Sequence, residues 1–174
     1  MMPYPAYSDA SIARILRSVK TIAMIGASAN EMRPSYFAMK YLSDKGFKIV
    51  PVNPGAAGKK ILGREVYATL ADVPPPVDMV DIFRNSEAAG PIADDVIAQK
   101  DRLGVKVLWM QLGVINEAAA KRAEAAGLTV IMNRCPKIEY GRLSGEIGWY
   151  GVNRRTIDNR KHAAFSSGGA LKRG

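Results

Sequence analysis

The stretch TIAMIGASANEMRPS, from Thr21 to Ser35, limits what this chain can fold into more than any other. It opens on an apolar run, Ile22-Ala23-Met24-Ile25, the composition of a strand buried on both faces. Gly26 and small residues break that run. Pro34 then fits the first turn of a helix, where its missing N–H costs nothing. Strand, glycine turn and helix start, in that order, form the opening unit of a nucleotide-binding α/β domain. The start of such a helix carries unpaired N–H groups and a partial positive charge, so it attracts phosphate.

Around this unit the punctuation is regular. Ser8 is placed to cap a first helix, with Ile12, Ile15, Leu16 and Val19 at helical spacing. After the opening loop, Phe37, Ala38, Tyr41 and Leu42 give the next helix an apolar face, and Gly46 ends it. Residues 47–52 read as the second strand. A loop containing glycine and lysine follows, with a short extended piece at Val66 and Tyr67 and a brief turn capped by Thr69. Residues 77–83 read as the third strand, with Asp78 and Asp81 at or near its ends. Ser86 is the expected cap of a helix that starts late or bends at Gly90-Pro91. Residues 105–110 and 128–132 read as the fourth and fifth strands. The alanine-rich helix between them is capped by Asn116 and ended by Gly127, and a short helix follows near residues 138–142.

This succession predicts an α/β fold, a doubly wound (Rossmann-like) parallel sheet of about five strands with helices on both faces. Residues 1–152 form the folded body and residues 153–174 a basic, flexible polar tail. Five turns converge beyond the carboxyl ends of the strands: 26–33, 53–55, 83–86, 110–113 and 133–136. Trp149, Tyr150 and Val152 are expected to pack a last strand or loop onto the body. That region and the exposed sheet edge leave a homo-oligomer open.

Composition narrows the class of partner. The chain is 48% hydrophobic and 24% charged, the balance of a globular protein. It has no apolar run near the ~20 residues that span a membrane. Its N-terminus shows no basic-then-apolar signal, and Cys135 is its single cysteine, so a cytoplasmic protein without disulfides is expected. The net charge of +9 is unevenly spread. From Arg142 onward there are seven basic and two acidic residues, so the tail carries more than half of the excess. A phosphorylated small ligand accounts for the remainder as well as nucleic acid does, and the tail lacks interleaved aromatics apart from Phe165.

Within the crevice, Gly26 lets a ligand approach the backbone, Ser28 and Ser35 offer hydroxyls, and Arg33 offers a planar cation suited to phosphate. The end of the second strand discriminates between ligands. NAD sites place an acidic residue there, and this chain has Asn53-Pro54, followed by Lys59, Lys60 and Arg64. A basic loop suits a ligand with an extra ribose phosphate, which describes both NADP and coenzyme A. No Ser-His-Asp or Cys-His pairing can be assembled in the body, no His/Cys cluster offers a metal site, and the only histidine, His162, lies in the tail. No catalytic and no metal-binding residue is therefore expected.

The motifs GASANEMRPSYFAMKYL, IVPVNP, ILGREVYATLADVP, PVDMVDIFR and VLWMQLGVINEAAAKRAEAAGLTVIMNRCPKIEYGRL, in this order, resemble the small stand-alone CoA-binding proteins. Their domain is similar to the N-terminal domain of the succinyl-CoA ligase alpha subunit. The resemblance covers residues 21–152. It implies a loop of Gly26, Ala27 and Ser28 cradling the CoA diphosphate, with Arg33, Pro34 and Ser35 beside it. Asn53 and Pro54 would border the adenosine, and Lys59 or Lys60 would reach phosphate. Phe83 and Arg84 would line the pantetheine path, flanked by Met110, Gln111 and Leu112. Trp109 reads better as core, and Cys135 as a buried thiol rather than one facing that of CoA. The ligase carries a second domain with a phosphorylated histidine, and no counterpart is expected here. The expectation is thus non-catalytic binding of CoA or an acyl-CoA by a carrier, a sensor or an acyltransferase partner. An NADP-binding redox enzyme or sensor on the same fold is the alternative.

Overall fold

The computed structural model describes residues 6–145. Helix α1 (Asp9–Ser18) is capped by Ser8, whose hydroxyl accepts the Ser11 N–H at 3.1 Å. Strand β1 (Thr21–Ile25), helix α2 (Pro34–Asp44) and strand β2 (Lys48–Val52) form the first βαβ unit. A small antiparallel hairpin, β3 (Lys60–Ile61) and β4 (Arg64–Glu65), follows. Then come β5 (Met79–Ile82), α3 (Ser86–Leu103), β6 (Val107–Met110), α4 (Glu117–Ala125), β7 (Thr129–Ile131) and α5 (Pro136–Ser144).

The five long-range strands pair in the order β2-β1-β5-β6-β7, all parallel. This is one of the two common doubly wound orders, with its reversal point between β1 and β5. Alternation along each strand divides the core in two. Ile22, Met24, Met79, Trp109 and Ile131 pack with Leu16, Met39 and Leu143, on the face covered by α1, α2 and α5. Ala23, Val80, Ile82, Leu108 and Met110 pack with Val96 and Ala123, on the face covered by α3 and α4. The doubly wound fold with helices on both faces is therefore observed. Trp109 is core, fully buried, and its indole N–H donates to the Arg134 carbonyl at 2.8 Å.

Three local expectations need correction. Helix α3 is capped by Asn85, whose side chain accepts the Ala88 N–H at 2.8 Å. Ser86 is its first residue, and its hydroxyl instead ties two loops, donating to the Gly113 carbonyl and accepting the Ile115 N–H. Nor does the helix start late. It runs through Pro91 to Leu103. The Glu87 carbonyl, which Pro91 cannot serve, belongs to an exposed first-turn residue. Finally, the two aspartates of the third strand differ in kind. Asp78 lies just before β5, and its carboxylate accepts the N–H groups of Lys20 and Thr21, both at 2.9 Å, fastening the start of β1. Asp81 lies inside β5, in register with Met24 on one side and Trp109 on the other, and is fully buried.

No helix among the described residues is long and apolar enough to cross a membrane. The expected packing of Trp149, Tyr150 and Val152, the tail at 153–174 and His162 lie outside the described residues.

Candidate functional site: the crevice at the strand ends

The opening loop is held by its own side chains. Gly26 adopts φ +90°, and its N–H donates to the Val52 carbonyl at 2.9 Å, locking the end of β1 to β2. The Ser28 N–H donates to the Ser35 hydroxyl at 3.1 Å, and the Asn30 N–H to the Ser28 hydroxyl at 3.1 Å. Each hydroxyl accepts one bond and keeps its own O–H to donate. Ala27 is fully buried, backbone included, and its carbonyl accepts the Asn53 amide. Arg33 and Pro34 are exposed at the start of α2.

Asn53 explains the missing acid after β2. Its Nδ2 donates to the Ala27 carbonyl at 2.8 Å, and its Oδ1 accepts the Gly55 N–H at 2.9 Å. One amide thus joins the opening loop to the loop after β2, a task that needs a donor and an acceptor on the same side chain. Asp has no donor when ionised and would set a carboxylate against a carbonyl. Asn53→Asp is expected to lower stability by about 1–3 kcal/mol, the cost of unmaking such a bond. Urea unfolding at pH 7 measures it; an unchanged midpoint would show that the bridge is dispensable.

A cavity of about 690 Å³ lies at the carboxyl edge of the sheet, beside the β1/β5 reversal point. Pro34, Phe37 and Ala38 of α2 form one wall. Phe83, Arg84 and Asn85 follow β5, while Gln111, Leu112 and Val114 follow β6. Cys135, Lys137 and Ile138, where α5 begins, close the remaining side. The cavity joins the opening loop at Gly26, where an added Cβ would lie 2.5 Å from the Phe83 carbonyl oxygen and 3.0 Å from Arg84 Cδ.

The structure therefore gathers Pro34, Phe83, Arg84, Gln111 and Leu112 around one cavity, with Gly26 at its margin. Lys59 and Lys60 stand apart from the lining, exposed on the hairpin, which is anchored where the Asn53 N–H donates to the Tyr67 carbonyl at 2.9 Å. Met110 does not flank the cavity. Strand alternation turns its side chain into the core under α3 and α4. Phe37, Ala38, Val114, Lys137 and Ile138 were missed as lining residues. Phe37 and Ile138 occupy the first turns of helices that begin at the carboxyl edge, and in this fold such turns face the crevice.

A polar pair links the cavity lining, at Gln111, to the buried Asp81 beneath it. Gln111 is almost fully buried, and its Nε2 donates toward both Asp81 oxygens, at 3.2 and 3.1 Å. Burial pushes the Asp81 carboxyl up to about 8, against the pull of the Gln111 bond, so it holds its proton at neutral pH. Burial also pushes the Cys135 thiol up, and the neighbouring Asp81 adds to this. The Ile138 and Lys137 N–H groups and the Gln111 amide work in the opposite direction. A thiol kept protonated is a poor nucleophile. Among the described residues, no group of three or more His, Cys, Asp or Glu is placed to hold a metal ion.

Comparison with known proteins accords with this geometry. Residues 20–141 match the family described as CoA binding domain. The uncharacterized protein YneT of Bacillus subtilis is 34% identical over 133 residues, covering 76% of this chain and 94% of that protein. A 107-residue stretch, 60% of this chain, is 34% identical to ADP-forming acetate–CoA ligase II of Archaeoglobus fulgidus; it spans 15% of the ligase. The solved structure of a hypothetical protein from Pyrococcus horikoshii OT3 superposes with a TM-score of 0.75 at 34% identity, covering 82% of this chain and 96% of that one. The chain belongs to the CoA binding domain family.

Proposed function

We propose that this protein binds coenzyme A, free or acylated, in the crevice at the strand ends, without transforming it, as a cytoplasmic carrier, sensor or partner of an acyltransferase. The observation that carries this reading is the contact of the Gly26 loop with Phe83 and Arg84, which line the cavity of about 690 Å³. A ligand with phosphates at one end and a long arm at the other suits a phosphate-type loop next to such a cavity. The backbone of Gly26 and Ser28, with Arg33 and Ser35 beside it, holds the diphosphate, and the buried Ala27 between them fixes the turn. Asn53 and Pro54 border the adenosine, and Lys59 or Lys60 takes the ribose phosphate. Phe83, Arg84, Gln111 and Leu112 line the arm. A binding rather than catalytic role is supported by Cys135, whose thiol burial keeps protonated, and by Asn53, whose side chain is committed to holding the loops.

NADP is the competing ligand, since it too carries a ribose phosphate. Calorimetric titration with CoA and, separately, with NADPH decides between them. CoA is expected to bind and NADPH not to displace it. Heat-silent mixing with CoA, without a thermal shift, would sink the proposal. Arg33→Ala is expected to weaken CoA binding by about 1–3 kcal/mol, the range for a hydrogen bond to a charged group. Since Arg33 is exposed, the fold should be unaffected.

A further inference from the structure

The mouth of the cavity is apolar in a way that CoA alone does not explain. Five large apolar side chains stand exposed among the described residues, and three of them, Phe37, Leu112 and Ile138, surround this one cavity. Each is about half exposed, at 51%, 55% and 48%. They come from three separate elements: α2, the turn after β6 and α5. Val114 and Ala38 continue the apolar surface inward. Apolar side chains left in water singly are ordinary, but a cluster around a concavity marks a surface that an apolar group covers.

Free CoA brings little to cover it. Its nucleotide end is charged, its arm carries two amides, and it ends in a small thiol. The apolar mass that fits is whatever is attached to the sulfur. Arg84 lies against the opening loop, its Cδ 3.0 Å from where a Gly26 Cβ would stand, so its charge serves the phosphate end, and beyond it the cavity offers little to a charged acyl group. The Gln111 side chain is engaged with Asp81, and the Lys137 ammonium lies over the Tyr41 ring at 5.3 Å. From the volume, the clustering and the contact with the Gly26 loop, we infer that the preferred ligand is an acyl-CoA with an uncharged aliphatic acyl chain, seated against Phe37, Leu112 and Ile138. This inference rests on the CoA-binding reading above and names the ligand class for that same site.

Titration calorimetry with CoA and octanoyl-CoA tests it on the full chain and on Phe37→Ser and Ile138→Ser, two half-exposed positions where a serine leaves the core intact. The readout is the ratio of the two affinities within each protein. Octanoyl-CoA is expected to bind about 10-fold or more tighter than CoA, from the apolar area it removes from water. Each substitution is expected to reduce that ratio several-fold. Equal affinities would overturn this inference and leave CoA binding standing. Binding of neither ligand would overturn both readings. A ratio unchanged by both substitutions would place the chain elsewhere and overturn the inference as well.

Discussion

Asp81→Asn is expected to raise the melting temperature at pH 8 by roughly 5 °C or more, and to change it little at pH 4.5. The folded state holds the Asp81 proton up to about pH 8, whereas the unfolded chain releases it near the ordinary value of 3.8. Between those limits the folded protein binds one proton more than the unfolded one. Stability therefore falls as pH rises, by on the order of 1 kcal/mol per pH unit from this group, and the loss is complete above pH 8. The asparagine side chain has the same shape, no charge to desolvate, and an oxygen that can still accept from Gln111 Nε2. Melting curves of both proteins from pH 4.5 to 9 measure the effect. The gap should open with pH and level off near 8. A gap equal at all pH values would mean that the gain comes from packing rather than titration; no gap would mean that the carboxyl ionises without penalty.

That a strand at the centre of the sheet carries such a residue was not legible in the sequence. Strand boundaries read from VDMVDIF extend to Phe83, which puts Asp81 near an exit to solvent. Asp81 is indeed the penultimate residue of β5, but pairing on both sides places it between Met24 and Trp109, away from solvent. Nothing local to the residue carries this information, because it depends on which strands become neighbours. The same holds for Met110. The resemblance implied that Met110 flanks the pantetheine path, but alternation within the sheet decided its face. Most local signals read correctly, the cap of α3 at Asn85 rather than Ser86 being the exception. Ser8 and Asn116 cap their helices, and Gly46 and Gly127 end theirs with positive φ. The apolar run before Gly26 is β1, and α2 starts at Pro34. The cavity falls between these extremes. The turns that converge on it could be placed from the order of elements, whereas its apolar walls come from Phe37 and Ile138, which in sequence look like ordinary helix residues.

Gly26→Ala is expected to cost about 2–4 kcal/mol of stability and to weaken CoA binding at least about 10-fold. Two separate effects add here. At φ +90° any side chain is strained, by about 1–2 kcal/mol. The new Cβ would also lie 2.5 Å from the Phe83 carbonyl oxygen and 3.1 Å from its carbon, and neither can move without shifting the end of β5. Gly104→Ala separates the two. Gly104 ends α3 at φ +82° with nothing within 4 Å of an added Cβ, so it carries the strain without the collision. Urea unfolding should therefore show the smaller loss for Gly104→Ala, about 1–2 kcal/mol. Calorimetry with CoA should show no change in affinity for it. Phe83 and Arg84, which the collision displaces, line the cavity, so the ligand should register the Gly26 change even under conditions where the variant stays folded. Equal losses of stability for the two variants would mean that the β5 end yields freely, and that the contact between the opening turn and the cavity wall does not set the shape of the site.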